Sequence, residues 1–512
     1  MIGVPATLLL VGVMAVITGY LRELAVAVTF GAGPVTDAFF LSLSMPMVIM
    51  DLVIGSALVA AVVPVLARGS AAPGKASPDA AEPFCALLVA VGAASLAAGA
   101  AMLACSDFLI AILGPGLDYA TRHAATRYLY WLAWLIPLNG FVVLACQTLN
   151  ALRVFVLPAC AALIVNLVFV LGVLVTAPLL GAPSLAVAAL AGPALVSLLL
   201  LRALRQRGIP GACAPRFRSP RFRQALALAA PISATLGIGS GLGLVMISHL
   251  VLRRSGSELG DGVISALTYA FRIYQVPMTL VSATVGVLVA PALARLLGAG
   301  REGAARETCR ELLNWGLLIL IPVAIVLHTQ ADAIVRILFQ YGRFDAGNAR
   351  MTADVLRGFA LAVPFEAVVI TFLRIIQTLH RPGVSVAIGA VTVAALFASL
   401  ECIPGSAGLA ALPYALIPAF GLGAAACLCG VALVLHASIL PSLREFAVGL
   451  VLGVGLAAAL TWWESQNVSG STPWSLAGAV MWTGSYGLLA ALALPERRRA
   501  IVKLLRTRRS AH

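Results

Sequence analysis

Long apolar blocks alternate with short clusters of charge, proline and glycine along the whole chain. The blocks run for about 20 to 30 residues, as from Phe84 to Leu113, which is the length a helix needs to cross a bilayer. A transmembrane β-barrel would instead show segments of about ten residues in which apolar and polar positions alternate. Breaks at charge, proline and glycine predict helices at 2–30, 37–67, 84–113, 126–150, 155–178, 184–204, 223–252, 262–297, 308–328, 351–378, 383–402, 410–437, 444–464 and 473–494. Fourteen such spans make an all-α polytopic membrane protein. The first block has no Lys or Arg before it and exceeds the apolar region of a signal peptide, so it reads as a retained span.

Composition removes the soluble alternatives. Of the 512 residues, 61% are hydrophobic and 11% charged, with a mean hydropathy of +1.02, whereas soluble domains are about 45–50% apolar and about 25% charged. The 34 Lys and Arg residues then test orientation, since cytoplasmic loops carry the positive excess. Loops on the side of the termini hold 23, with clusters at 202–223 and after Pro495, while the opposite loops hold Arg122, Arg127, Arg253, Arg254, Arg336, Arg343 and Arg350. Both termini are predicted cytoplasmic. The net charge of +14 becomes an orientation signal and an attraction to the anionic headgroups of the phospholipid bilayer, not a nucleic-acid footprint. The nine cysteines are scattered without a CxxC pair, so neither a metal site nor a disulfide framework is predicted and cysteine acts as a small hydrophobe.

Three landmarks recur in order. Pro64 to Arg68 (PVLAR) matches Pro291 to Arg295 (PALAR); Asp107 to Leu113 (DFLIAIL) matches Asp332 to Leu338 (DAIVRIL); and Gln147 to Asn150 (QTLN) matches Gln377 to His380 (QTLH), at offsets of 227, 225 and 230. Six spans separate the copies, an even number, so the halves share one orientation: a parallel repeat, the design of transporters with two lobes around a central cavity. The predicted organisation is an N-terminal lobe at 1–204, a basic linker at 205–222, a C-terminal lobe at 223–437, two extra spans at 438–494 and a basic tail at 495–512.

Chemistry should sit where charge survives inside the apolar spans, since a charge at mid-membrane costs about 2.5–3.5 kcal/mol on insertion scales. The candidates are Arg22 and Glu23 in the first span, Asp37 and Asp51 in the second, Arg272 in the eighth, and Arg357, Glu366 and Arg374 in the tenth. Plainer roles compete: a local ion pair at a helix break for Arg22 and Glu23, an N-cap after Gly33-Pro34 for Asp37, snorkelling for Arg357 and Arg374. Arginine forks suit phosphate, so several of them in two lobes suggest an anionic phosphorylated substrate. The glycines at 237, 239, 241 and 243, and Gly449 with Gly453, read first as close helix packing. The six histidines stand singly near predicted span ends, and no HExxH, GxSxG or P-loop occurs, so an enzyme is disfavoured and no cofactor or metal is predicted.

One family matches these residues. Arg22-Glu23 followed by Phe30-Gly-Ala-Gly33 and Thr36-Asp37-Ala-Phe-Phe40 resembles the opening of the MurJ (MviN) lipid II flippases. Leu149-Asn150 with Phe155, Pro158 and Asn166, Tyr269-Ala-x-Arg272 with Pro277, and Leu338-Phe339 with Gly342 and Phe344 resemble later motifs of that family, so the likeness covers roughly residues 10 to 385. It implies the multidrug/oligosaccharidyl-lipid/polysaccharide (MOP) exporter fold, with two six-helix lobes and two extra helices forming a groove for a polyprenyl tail. It also implies a multi-pass protein of the bacterial cytoplasmic (inner) membrane, acting as a monomer. Its substrate would be lipid II, the undecaprenyl-pyrophosphate-linked peptidoglycan precursor, carried to the outer leaflet by alternating access. By resemblance Arg22, Asp37 and Arg272 occupy substrate-binding positions; Glu23, Asp51, Arg357 and Arg374 are further candidates from the charge census. The chain departs from the family form at Val16 and Met50, where arginines are usual, at Gln275, where an acid is usual, and at His380-Arg381-Pro382. An exporter of another polyprenyl-linked saccharide is the second reading these residues leave open, and a cation-coupled drug exporter the third.

Overall fold

The computed structural model describes residues 3–50, 70–72, 75–76, 78–209, 241–285, 289–378, 381–404, 407–434, 443–466 and 472–493. Apart from a small antiparallel pair, β1 (Ser70–Ala72) and β2 (Lys75–Ala76), the regular structure described is helical. The first helices are α1 (Gly3–Phe30), α2 (Pro34–Ile49), α3 (Pro78–Ala104), α4 (Ser106–Leu113), α5 (Tyr119–Leu132), α6 (Leu135–Ala151), α7 (Val156–Leu180), α8 (Ser184–Gln206) and α9 (Gly241–Gly256). They are followed by α10 (Val263–Thr284), α11 (Ala290–Gly298), α12 (Glu302–Thr329), α13 (Ala331–Phe339), α14 (Ala346–Thr378), α15 (Pro382–Glu401), α16 (Leu416–Val434), α17 (Leu443–Gln466) and α18 (Thr472–Ala493). Among the described residues nine helical stretches are long and apolar enough to cross a membrane, and Pro34–Ile49 and Val451–Trp463 are shorter apolar helices. The remainders of the second and seventh expected spans, 51–67 and 223–240, lie outside the described residues, as do Gly237 and Gly239. The chain is a polytopic all-α membrane protein.

One expected span is divided. The third, 84–113, is α3 and the separate short helix α4, because the chain turns at Cys105 before Asp107 opens a new first turn. This division makes the internal repeat visible. A long helix, a short helix of 8 or 9 residues and a long helical run occur as α3, α4 and the run α5–α6, and again as α12, α13 and α14. Each short helix carries an Asp in its first turn, where the free N–H groups favour an anion. Each Asp also reaches the following long helix: Thr126 Oγ1 donates to Asp107 Oδ1 at 3.3 Å, and Arg357 pairs with Asp332.

The chain packs as two compact units, residues 1–269 with 341–348, and residues 270–340 with 349–512. In the first unit α1 packs on α7, α7 on α8, α2 on α5 and α3 on α6. Small residues set these distances: a Cβ at Gly192 would stand 2.8 Å from the Val165 carbonyl oxygen, so α8 meets α7 backbone to backbone there. Phe39 fills the centre, 5.6 Å edge-on from Tyr128 and 6.3 Å from Phe169. Leu171, Leu174, Val175 and Leu179, on one stripe of α7, are exposed, which is the arrangement of a face turned to lipid. Past α1, Gly31 and Gly342 both adopt left-handed backbone (φ 73° and 60°), and the Arg343 N–H caps the Val28 carbonyl at 2.9 Å.

In the second unit α14 is the most buried of the nine spanning stretches. The helices α17 and α18 pack on each other and on α12, through Leu456, Leu460, Tyr486 and Ala490 with Leu318 and Ile325. Gly453 has the close-packing role expected of it, since a Cβ there would stand 2.9 Å from Ile321. Seven cysteines are free among the described residues, while Cys85 is in a disulfide, a departure from the expectation that every cysteine is a plain hydrophobe.

Candidate functional site

In the first unit Arg22 sits on an unbroken α1, so the expected helix break is absent. Its Nη2 donates to Glu23 Oε1 at 2.7 Å, and the guanidinium carbon lies 5.8 Å from the centre of the Phe169 ring. Glu23 is buried and Arg22 a quarter exposed. Glu23 is the only hydrogen-bond partner of Arg22 among the described residues, so most of the fork remains available to an anion.

Asp37 was expected to cap its own helix, but it caps another. The chain enters α2 at Pro34 with Gly33 as N-cap and the Thr36 hydroxyl closing the first turn, which leaves Asp37 one position beyond its helix's free N–H groups. Its carboxylate instead meets the start of α10. Oδ2 accepts from the Gly262 N–H at 2.6 Å, and Oδ1 accepts from the Ser265 N–H at 2.7 Å and the Ser265 hydroxyl at 2.6 Å. Two orphan amides of that helix are thereby satisfied by an anion at the positive end of its dipole. Asp37 is 1% exposed, and its carboxylate is turned to these three donors inside the protein. Tyr269 Oη beside it donates to the Gly31 carbonyl at 3.0 Å. Asp51 lies outside the described residues.

Arg253 and His249 correct the expectation about loops and span ends. Both are on α9, four residues apart and so on one face; His249 is buried, and Arg253 is partly buried and donates to the Ser44 hydroxyl on α2. Glu23 is near enough to act on Arg253 electrostatically. Arg253 therefore sits in the last turn of a helix and packs against α2, where the sequence suggested a loop. Its clue in the sequence was the four-residue spacing from His249, which the neighbouring Arg254 and Ser255 disguised as a loop.

In the second unit Arg272 is half-buried on α10 and its Nη1 donates to Gln275 Oε1 at 3.0 Å. Gln275, the position that departs from the family's acid, thus still orients the guanidinium but adds no negative charge. Arg357 is held by Asp332 and Asp354, and its carbonyl meets His328 Nδ1 at 2.9 Å. Its role is a structural tie between α13 and α14. Arg374 is half-buried on the same helix, 17 residues further along and so about 25 Å away at about 1.5 Å per residue. The two cannot grip one pyrophosphate. On α14 between them, Glu366 is buried and accepts from the Tyr274 hydroxyl of α10, a partnership that no local pattern announced.

An apolar groove of about 780 Å³ opens where α15 and α16 approach each other, lined by Ala398, Cys402, Ile403, Tyr414 and Pro418. No charged side chain lines it, and no cluster of metal-ligating residues occurs among the described residues.

A family model described as "Lipid II flippase MurJ" matches residues 26–475. A "Probable lipid II flippase MurJ" of Rhizobium tropici is 28% identical over 362 residues, covering 68% of this chain and 65% of the relative. The "Lipid II flippase MurJ" of Burkholderia cenocepacia is 28% identical over 361 residues, covering 68% and 67%. The chain thus spans about two-thirds of the length of these relatives. Among solved structures, a lipid II flippase MurJ in an inward closed conformation superposes with a TM-score of 0.78 at 17% identity, over 96% of this chain and 99% of that one. An inward-facing multidrug resistance MATE transporter of the MOP superfamily has a TM-score of 0.63 at 14% identity, over 84% and 98%. Both likenesses are likenesses of fold.

Proposed function

The chain belongs to the MurJ family of lipid II flippases, and on that premise we propose that it carries lipid II from the cytoplasmic to the outer leaflet of the bacterial inner membrane. The observation that carries the reading is the family match over residues 26–475. The flexible part of such a substrate is apolar and stays in lipid, so the protein's task is to shield the pyrophosphate and saccharide while they cross. Arg22 supports a pyrophosphate-binding role because most of its fork is unused and its side chain is a quarter exposed. In the second unit Arg272, oriented by Gln275, and Arg374 are further candidate anion ligands. Glu23 positions Arg22 and is not itself a ligand. Asp37 acts at the same end of α2 as a latch on α10, made in one conformation and released in the other. Both repeats lie in one chain, so a monomer suffices, with both termini on the cytoplasmic side where the basic loops collect.

The test is complementation of bacteria depleted of their own lipid II flippase, with outer-leaflet lipid II as the readout. The chain is expected to restore it, and Arg22→Ala and Arg272→Ala are each expected to abolish it while folded protein remains in the membrane. Failure of the well-expressed wild type would refute lipid II as the substrate; full activity of both variants would refute the pyrophosphate site.

A further inference from the structure

Glu366 is the acidic side chain that the flippase reading leaves unused. It lies close to the middle of α14 and is 1% exposed; Tyr274, 0% exposed, donates its hydroxyl proton to Glu366 Oε2. Among the described residues Tyr274 is its only partner, and no cation pairs with it. Arg357, nine residues earlier on α14, is engaged by Asp332 and Asp354, and Arg374 is eight residues later, each about 12–14 Å away along the axis. On α10 the nearest charge, Arg272, is turned to Gln275. Among the described residues, α12 presents Leu313, Gly316 and Leu320 to the space beside Pro364 and Ala367, and the Cys427 thiol of α16 lies 4.0 Å from the Val369 carbonyl. A carboxylate with neither water nor a counter-ion is neutralised by a proton in preference to remaining charged. A carboxyl group is then poised to change its charge whenever the surrounding helices part. Pro277 on α10 and Pro364 on α14, three residues after Tyr274 and two before Glu366, break the backbone hydrogen-bond ladder at this level and supply the points where they can bend.

We propose that Glu366 is a proton-binding site of the transport cycle, loaded in the conformation described here and emptied to water in the opposite one, with Tyr274 as its positioning residue. Unloading breaks the carboxyl O–H bond and passes the proton to water, leaving a carboxylate; reloading reverses the step. The proposal rests on the flippase reading and adds proton coupling to it.

Two measurements on the full-length protein test it separately from that reading. In lipid nanodiscs without substrate, the infrared difference between wild type and Glu366→Gln should contain the carbonyl stretch of a protonated carboxylic acid at neutral pH. Tyr274→Phe, which keeps the carboxyl and removes its one donor, should move that band to higher wavenumber without abolishing it. In proteoliposomes with lipid II and the membrane potential clamped to zero, a pH gradient should change the wild-type flipping rate several-fold, and Glu366→Gln should flip at a rate indifferent to the gradient. Absence of the acid band, or wild-type flipping that ignores the gradient, overturns the proposal. If the band is present but no lipid II moves under any gradient, the substrate reading fails while the proton site stands.

Discussion

Replacing Asp37 by Asn puts the latch between α2 and α10 to a quantitative test. The carboxylate accepts three hydrogen bonds, two from backbone amides and one from the Ser265 hydroxyl. An amide can keep only one of the two oxygens; its NH2 then faces an N–H donor with nothing to accept. The loss is one charge-assisted hydrogen bond, about 1.5–3 kcal/mol, and the favourable meeting of an anion with a helix N-terminus, about 0.3–1 kcal/mol. Together this is about 2–4 kcal/mol, or roughly 30- to 700-fold in the population of the unlatched state at about 1.4 kcal/mol per factor of ten. Hydrogen–deuterium exchange read by mass spectrometry on peptides spanning 257–270 reports it, because the Gly262 and Ser265 amides are the ones protected. Ser265→Ala removes only the hydroxyl donor and should accelerate exchange by roughly fivefold, from a hydrogen bond worth about 1 kcal/mol. Unchanged exchange in folded Asp37→Asn protein would refute the capping account; if transport were nevertheless lost, Asp37 would have to act on the substrate directly.

Two further outcomes follow from geometry. Arg253→Met should destabilise the protein by about 1–3 kcal/mol in detergent unfolding, between the values for exposed and for buried ion pairs, because it removes the donor to the Ser44 hydroxyl oxygen, which keeps only its own bond to the Phe40 carbonyl, and deprives Glu23 of a nearby cation. Arg253→Lys should recover part of that, and stability equal to wild type in Arg253→Met would contradict it. Gly342→Ala should cost more than Gly300→Ala in the same measurement: both have left-handed backbone, worth about 1–2 kcal/mol of strain to an L-residue, but only at Gly342 would the new Cβ stand 2.5 Å from the Val28 carbonyl oxygen. Equal losses at the two sites would show that the close approach is not real.

The sequence made the spans legible because apolar length is a one-dimensional signal: α7 and α14 are bounded within a few residues of where charge and proline placed them. The repeat was legible for the same reason, since Asp107 and Asp332 mark short helices by local pattern. Partners were not. Asp37 looks like a cap because it follows Gly33-Pro34, yet the amides it caps are 225 and 228 residues away. Arg357 looked like a substrate ligand because an arginine in an apolar span is conspicuous, whereas Asp332, which neutralises it, is unremarkable where it stands. Glu366 was singled out as a charge, but its meaning depends on Tyr274, 92 residues distant. Hydropathy records what must be hidden from water and says little about which polar group waits on the other side of a helix interface.

The contact between Gly342 and the end of α1 carries a consequence for how the protein is made. The Val28 carbonyl is satisfied by the amide of a residue 315 positions later. At about 5–20 residues per second, a ribosome reaches that residue roughly 16 to 60 seconds after the first span has been delivered to the membrane. For that interval the first helix ends in an open carbonyl, and the segment that closes it arrives only after 315 further residues have been made. Insertion of the early helices therefore cannot finish their assembly, and a nascent chain stopped before residue 343 should hold a loosely closed first unit that membrane quality control can recognise.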